Sequence, residues 1–283
     1  MALVLPFKAV RPQVKYAPQV AALPYDVMTR EEGRMAVAGR PLSFMHVEKS
    51  EIDVPDGTRP DNPVIYETAK RNFARMREEG ILIQDPSPCY YIYRQKMGSH
   101  VQTGIVGVMS AAEYDEGKIK KHELTRQDKE DDRIRHVDQV NAQTGPVFIS
   151  YRTRPGLNEI VAKITAGRPE YEFTAEDGVV HTAWVVADQA RMDAIRSEFD
   201  QVDALYIADG HHRAAAGATI ARKRRKPIRL ASSSHVEYPS CMACCMSSMP
   251  GPTSTAVISM ASGSTRAVKV PPLEWMTMFI SAS

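Results

Sequence analysis

The chain has 283 residues, 43% apolar and 25% charged, with a formal net charge of +2. That length holds one large domain or two small ones with a real core, and the composition is that of an ordinary soluble globular protein. So small a net charge does not mark a nucleic-acid binder, and no run approaches the roughly 18 apolar residues of a membrane span.

The opening stretch, "MALVLPFKAV", is too short and too soon broken by Pro6 to be a signal peptide. Cys89 stands alone and the other three cysteines crowd into "CMACC", which is no secreted disulfide framework. A cytoplasmic protein with no membrane association is expected.

"ALVLPFKAV" reads as one strand, followed by a proline-punctuated loop through "ALPYDVMT". Thr29 caps a helix with acids in its first turn and Gly39 as its stop. "HVEKSEIDVPDGTRPDNP" reads as an extended loop. "VIYETAKRNFARMREEG" is the clearest helix, with Ile65, Ala69, Phe73 and Met76 at helical spacing and Gly80 as terminator. "CYYIYRQK" and "TGIVGVMS" form a hairpin around "MGSH". Tyr90, Tyr91, Tyr93 and Trp184 alternate with apolar residues and are assigned to the core.

"KKHELTRQDKEDDRIRHVDQVNAQTGPVFISYR" reads as a loop, a highly charged helix and a strand. Thr125 with Asp128 resembles a capping box. Lys129 and Arg133 are placed against Asp128 and Asp132 on a solvated face, with Ile134, Val137 and Val140 as a narrow buried stripe. "GLNEIVAKITAG" is a helix, and "EYEFTAEDGVVHTAWVVA" a hairpin turning at Asp177-Gly178. A further helix, a short buried strand "ALYIA" and an alanine-rich helix ending in "ARKRRK" complete the ordered pattern. Strands and helices mix without strict alternation, so the fold class is α+β: a mixed sheet with flanking helices.

Residues 227–283 differ in character. They are rich in Ser, Met, Thr and Pro, and Glu237 and Glu274 are their only acids. The organisation read here is an α+β domain over 1–226, incomplete at its C-terminal end, and a low-complexity tail over 227–283. A reading frame lost near codon 226, or disorder, accounts for such a tail.

Chemistry concentrates in "LYIADGHHRAAAGATIA". A strand ending in a glycine turn that opens a helix aims N–H groups and the positive helix end at one point, where anions bind. Gly210 permits positive φ and close approach. Arg213 offers a planar fork of donors for phosphate oxygens, and His211 and His212 lie beside it. Asp209 suggests Mg²⁺ bridging to phosphate, or orientation of His212. The plainer alternative is a capped helix with surface histidines. Zinc is disfavoured, because adjacent helical residues point about 100° apart.

The second group is His122, Glu123 and Arg126. "HE" is not H-E-x-x-H, since Arg126 occupies the second histidine's place, so a zincin is excluded. Transfer of a phosphoryl group to a small hydroxyl needs a base and cations. Asp26 and Glu123 are the candidate bases, and His122 and Arg126 candidate phosphate ligands. Asn141, Gln143 and Thr144, in "NAQTGPVF", either bind substrate or cap the helix. Asp26 is equally readable as a capping acid.

"GHHRAAA" follows the G-x-x-R-x-x-A pattern of the ParB/Spo0J superfamily, to which sulfiredoxin and the free-serine kinases belong. The larger pattern "PYDV … CYYIYRQ … KKHELTRQDKEDDRIRHVDQVNAQTGPVF … YIADGHHRAA" resembles an uncharacterised bacterial and archaeal Spo0J/ParB-like family over residues 1 to about 222. The resemblance implies a ParB/sulfiredoxin-like nucleotide-binding core, in which Gly210 and Arg213 match the phosphate-gripping residues. It implies Mg²⁺, with Asp209 as ligand, and a nucleotide, ATP or ADP. His211 stands where sulfiredoxin has its catalytic cysteine, so sulfinic-acid repair is excluded. The implied function is a phosphotransferase acting on a small hydroxyl substrate, a free L-serine kinase. The alternatives are a nucleotide-dependent DNA-binding protein, touching DNA through Arg222 to Lys226, or an inactive truncated member of the family.

Overall fold

The computed structural model describes residues 3–224, 241–249 and 279–281. The expected first strand is two. β1 (Val4–Leu5) joins a large sheet beside a later strand, whereas β2 (Ala9–Pro12) joins a separate small sheet. Pro6 lies at the break, where it can donate no ladder bond, and Phe7 makes only an isolated bridge to Cys89.

α1 (Ala17–Val20) and the single turn Tyr25–Val27 lead into α2 (Arg30–Ala36). Thr29 caps α2 as expected: its hydroxyl accepts from the Glu32 N–H, and Glu32 accepts from the Thr29 N–H. The stretch expected as an extended loop is partly helical, with α3 (Met45–Glu48) and a 3₁₀ turn at Ser50–Asp53. Phe44, Met45, Val47 and Ile52 are buried there, and burial of that apolar set overrides the turn-rich reading. α4 (Pro63–Glu78) follows, with Asn62 capping its start and Ile65, Ala69, Phe73 and Met76 buried as their spacing predicts. Gly80, at φ +68°, ends it.

β3 (Leu82–Gln84) pairs with β2. β4 (Tyr90–Met97) and β5 (His100–Ser110) form the expected hairpin, closed by a tighter turn than "MGSH". α5 (Ala111–Asp115), β6 (Ile119–Lys120), α6 (Gln127–Val140), β7 (Ala142–Gln143) and β8 (Val147–Arg152) come next. Then follow α7 (Pro155–Thr165), the hairpin of β9 (Tyr171–Thr174) and β10 (Val180–Val186), and α8 (Gln189–Phe199). β11 (Leu205–Asp209) runs into α9 (His211–Arg224). Within the stretch read as a tail, β12 (Cys241–Met249) and β13 (Phe279–Ser281) are strands, and the rest lies outside the described residues.

The large sheet has the order β6-β11-β8-β12-β5-β4-β10-β9, with β1 also on β5, and the small sheet has the order β3-β2-β13-β7. β6–β11 and β8–β12 are parallel and the other pairings antiparallel, so the architecture is the mixed α+β one expected.

Strand alternation divides the core. Tyr90, Ile92 and Trp184 face one layer with Ile195, Phe199, Ala214 and Ala218 from the helices. Tyr91, Tyr93 and Ala183 face the other, with Leu5, Phe7 and Ala17. A third cluster joins α3, α4 and the C-terminal end of α6 around the small sheet. Arg11 on β2 is buried and ties the layers together: it donates to Asp85 at 3.0 Å and Glu170 at 3.0 Å, and also to the Tyr171 hydroxyl.

α6 differs from its expectation in two ways. Its N-cap is Arg126, without a side-chain cap bond, and the Thr125 hydroxyl donates instead to Glu130 at 2.9 Å. Arg133 is not on a solvated face: its guanidinium lies over the Tyr25 ring and pairs with Asp132 at 2.7 Å. Val137 and Val140 are buried as expected, but His136 shares that face, while Ile134 is only half-buried. Among the described residues no helix is long and apolar enough to cross a membrane.

Candidate functional site

β11 ends at Asp209 and α9 starts at His211, so Gly210 alone makes the turn, at φ +88°. An L side chain rarely adopts that conformation. The first intrahelical bond of α9 runs from the Ala214 N–H to the Gly210 carbonyl at 2.9 Å. The N–H groups of His211, His212 and Arg213 therefore have no acceptor within the helix, and the positive end of the helix dipole lies among them.

Arg213 does not present its guanidinium to solvent as a phosphate grip would require. It is buried and donates to the Pro146 carbonyl at 2.6 Å and to Asp209 at 2.6 Å. Its role in this arrangement is to brace the turn, tying the end of β11 to the start of β8.

The segment between β6 and α6 folds over that helix end. The His122 ring meets the His211 ring edge-on at 4.5 Å, and Glu123 lies 3.5 Å from His211 Nδ1. The Arg126 N–H donates to His212 Nε2 at 3.0 Å, so Nε2 is the unprotonated nitrogen of that ring. Burial, and then the neighbouring His122, hold His211 below the ordinary histidine range, which keeps it neutral at pH 7. The Arg126 guanidinium extends into solvent and pairs with Asp128 at 2.8 Å. His122, Glu123, Arg126, Asp209, Gly210, His211 and His212 thus meet at one place.

The other candidates divide. Gln143 and Thr144 are buried and line a cavity of about 10 Å³ with Glu48, Arg133, His136 and Arg213. A second cavity, of about 20 Å³, shares Glu48, Gly145 and Arg213 and is walled by Pro24 and Tyr25. Asp26, the next residue in the chain, is exposed and is not part of that lining. Asn141 is not brought to either cavity. It ends α6 in the left-handed conformation, φ +58°, and its side chain accepts from Arg224 at 2.5 Å. Arg222 and Arg224, from the basic run, pair with Asp115 and Asp138.

Sequence reasoning missed Glu48, Arg133, His136 and Tyr25. A signal for two of them existed, because Arg133, His136, Val137 and Val140 recur at helical spacing on one face of α6. Glu48 sits in the stretch read as a loop and gave none. A larger cavity, about 400 Å³, lies between α7 and the sheet, lined by Arg94, Tyr151 and Asn158. It contains none of the histidines or carboxylates gathered at α9, so size alone does not identify the site here. Among the described residues no group of three or more His, Cys, Asp or Glu side chains is arranged to hold a metal ion.

No curated protein and no solved structure matches the chain. The sequence model of a family described as a protein of unknown function (DUF1015) matches residues 4–251, and no ParB/Spo0J or sulfiredoxin family is matched. That corrects the resemblance drawn from "GHHRAAA". A glycine, an arginine and an alanine at fixed spacing are what a tight strand-to-helix turn braced by an inward arginine also selects, so the motif is too local to carry a superfamily assignment. With its match spanning most of the length, the chain belongs to the DUF1015 family.

Proposed function

We propose that this protein binds the phosphate groups of a nucleotide, ATP or ADP, at the turn between β11 and α9. It transfers a phosphoryl group from there to a small hydroxyl substrate, with free L-serine the acceptor to test first. One observation carries the reading: a segment 86 residues earlier in the chain is folded onto the open end of α9, bringing His122, Glu123 and Arg126 to it. A helix end facing solvent needs no such cover for stability, whereas a phosphate there gains charge-assisted bonds.

In this reading the N–H groups of α9, the exposed Arg126 and the rings of His122 and His212 hold the phosphates. Glu123, exposed beside His211, takes the proton from the acceptor hydroxyl. The new O–P bond forms as the terminal phosphoanhydride bond breaks, and the leaving nucleotide keeps the bridging oxygen. Asp26, exposed and next in the chain to Tyr25 of the Arg213 cavity, is the second candidate for the base. Asp209 gives one carboxylate oxygen to Arg213, and its other would hold Mg²⁺ carried by the phosphates. Magnesium would supply charge neutralisation on the transferring group.

A nucleotide-using enzyme with a free buried thiol, Cys89, suits the cytoplasm. Contact with DNA through the basic run is the lesser reading, because Arg222 and Arg224 are already paired with carboxylates. The direct test is phosphoserine formation from L-serine with ATP or ADP by the full chain. Turnover lost in Glu123→Gln supports the proposal; binding of nucleotide without transfer to serine or any other small alcohol contradicts the phosphotransferase part.

A further inference from the structure

The small cavities beside Arg213 share Glu48, Gly145 and Arg213 as walls. Around the inner one, four buried polar atoms have no hydrogen-bond partner among the described residues: both oxygens of Glu48, Oε1 of Gln143 and Nδ1 of His136. These side chains are only 7%, 7% and 2% exposed, so water outside the protein does not satisfy them.

The neighbours decide what each atom wants. Gln143 donates from Nε2 to the Gly145 carbonyl at 3.0 Å, so the atom left over is the amide oxygen. His136 Nε2 lies 2.9 Å from the Val47 carbonyl, which can only accept, so Nε2 carries the proton. Burial, and then Arg133, hold His136 below the ordinary histidine range, and Nδ1 is left as a bare lone pair. All four orphaned atoms are acceptors. Charge points the same way: Arg133 is matched by Asp132 at 2.7 Å and Arg213 by Asp209 at 2.6 Å. Glu48 lies 3.5 Å from Arg133, too far for a hydrogen bond, and is the carboxylate in excess.

We infer that this cavity is a receptor for the ammonium group of a small primary amine. An ammonium group brings three N–H donors and one positive charge in the space of a water, and the inner cavity, about 10 Å³, has that size. A water brings only two donors and no charge. The carbon stem of the amine lies in the outer cavity, against Ala22, Pro24 and Tyr25. The inference stands on the cavity and not on phosphoryl transfer. Joined to that reading, it makes the acceptor an amino alcohol.

Titration calorimetry of the full chain, without nucleotide, separates the two ideas. Ethanolamine should bind and ethylene glycol, which replaces the ammonium with a hydroxyl, should not. Glu48→Gln should weaken ethanolamine binding about tenfold or more. Gln143→Leu removes one acceptor without touching the charge and should weaken it less. Absence of heat with both ethanolamine and methylammonium, equal binding of the glycol, or unchanged binding by a folded Glu48→Gln variant would overturn the inference. Failure of phosphoryl transfer leaves these outcomes unaffected.

Discussion

The guanidinium of Arg213 lies flat against Gly210: a methyl group on that α-carbon would stand 3.0 Å from Nε and 3.1 Å from Cζ. The same guanidinium holds Asp209 and Pro146, so the turn, the strand end and the helix start form one braced unit. Gly210→Ala therefore meets both an unfavourable φ and a displaced arginine. It should cost about 1–3 kcal/mol, read by denaturant unfolding, and abolish the phosphate binding proposed at α9. A variant as stable as the wild type would show that the brace is not needed.

Glu123 and His211 form the other pairing at this end of α9. Glu123→Gln keeps the shape and removes the charge and the base. If the proposed reading holds, turnover should fall by about 10²–10⁴-fold with nucleotide affinity changed little, because that reading assigns the phosphates to other groups. Loss of affinity with turnover per bound nucleotide unchanged would assign Glu123 to binding.

The buried pair of Arg11 and Asp85 predicts a stability effect far from the site. Asp85→Asn leaves the buried guanidinium without its buried carboxylate partner, and it also weakens the bond that the Tyr91 hydroxyl makes to Asp85 at 2.5 Å. A loss of about 3 kcal/mol is expected, partly offset by Glu170 at 3.0 Å. Thermal unfolding checks it, and a shift of less than a degree would contradict it.

Stability should also fall on acidification through histidine. Burial lowers His181 to about 4, and holds His136 and His211 below their ordinary value. The unfolded chain takes up these protons near pH 6.5 and the folded chain does not. Stability is therefore complete above about pH 6.5. It should decline toward pH 4, His181 alone accounting for about 3 kcal/mol. His181→Gln should flatten that slope, whatever it does to stability at pH 7. An unchanged slope would show that His181 does not contribute to the acid sensitivity.

Much of this was legible in the sequence where one local rule acts alone. The Thr29–Glu32 capping box, the α4 stripe and the Gly178 turn each depend on residues a few positions apart. The strand–glycine–helix turn at Gly210 was readable for the same reason. What the sequence hid depends on distant partners. Arg133 looks like any exposed arginine on a charged helix until Tyr25 and Glu48 arrive from a segment with no periodicity. Arg213 likewise reads as a phosphate ligand until Pro146 and Asp209 claim its donors. Pro6, which divides one apparent strand between two sheets, was visible, but the second sheet was not.

Everything proposed for this protein's chemistry depends on the end of α9, covered by His122, Glu123 and Arg126, holding the phosphates of a nucleotide. Titration calorimetry of the full chain with ATP and ADP in the presence of Mg²⁺ decides it. At least one of them should bind saturably, weakened about tenfold by Arg126→Ala and further by adding His212→Ala. No heat with ATP, ADP or pyrophosphate, or binding indifferent to both substitutions, would contradict it.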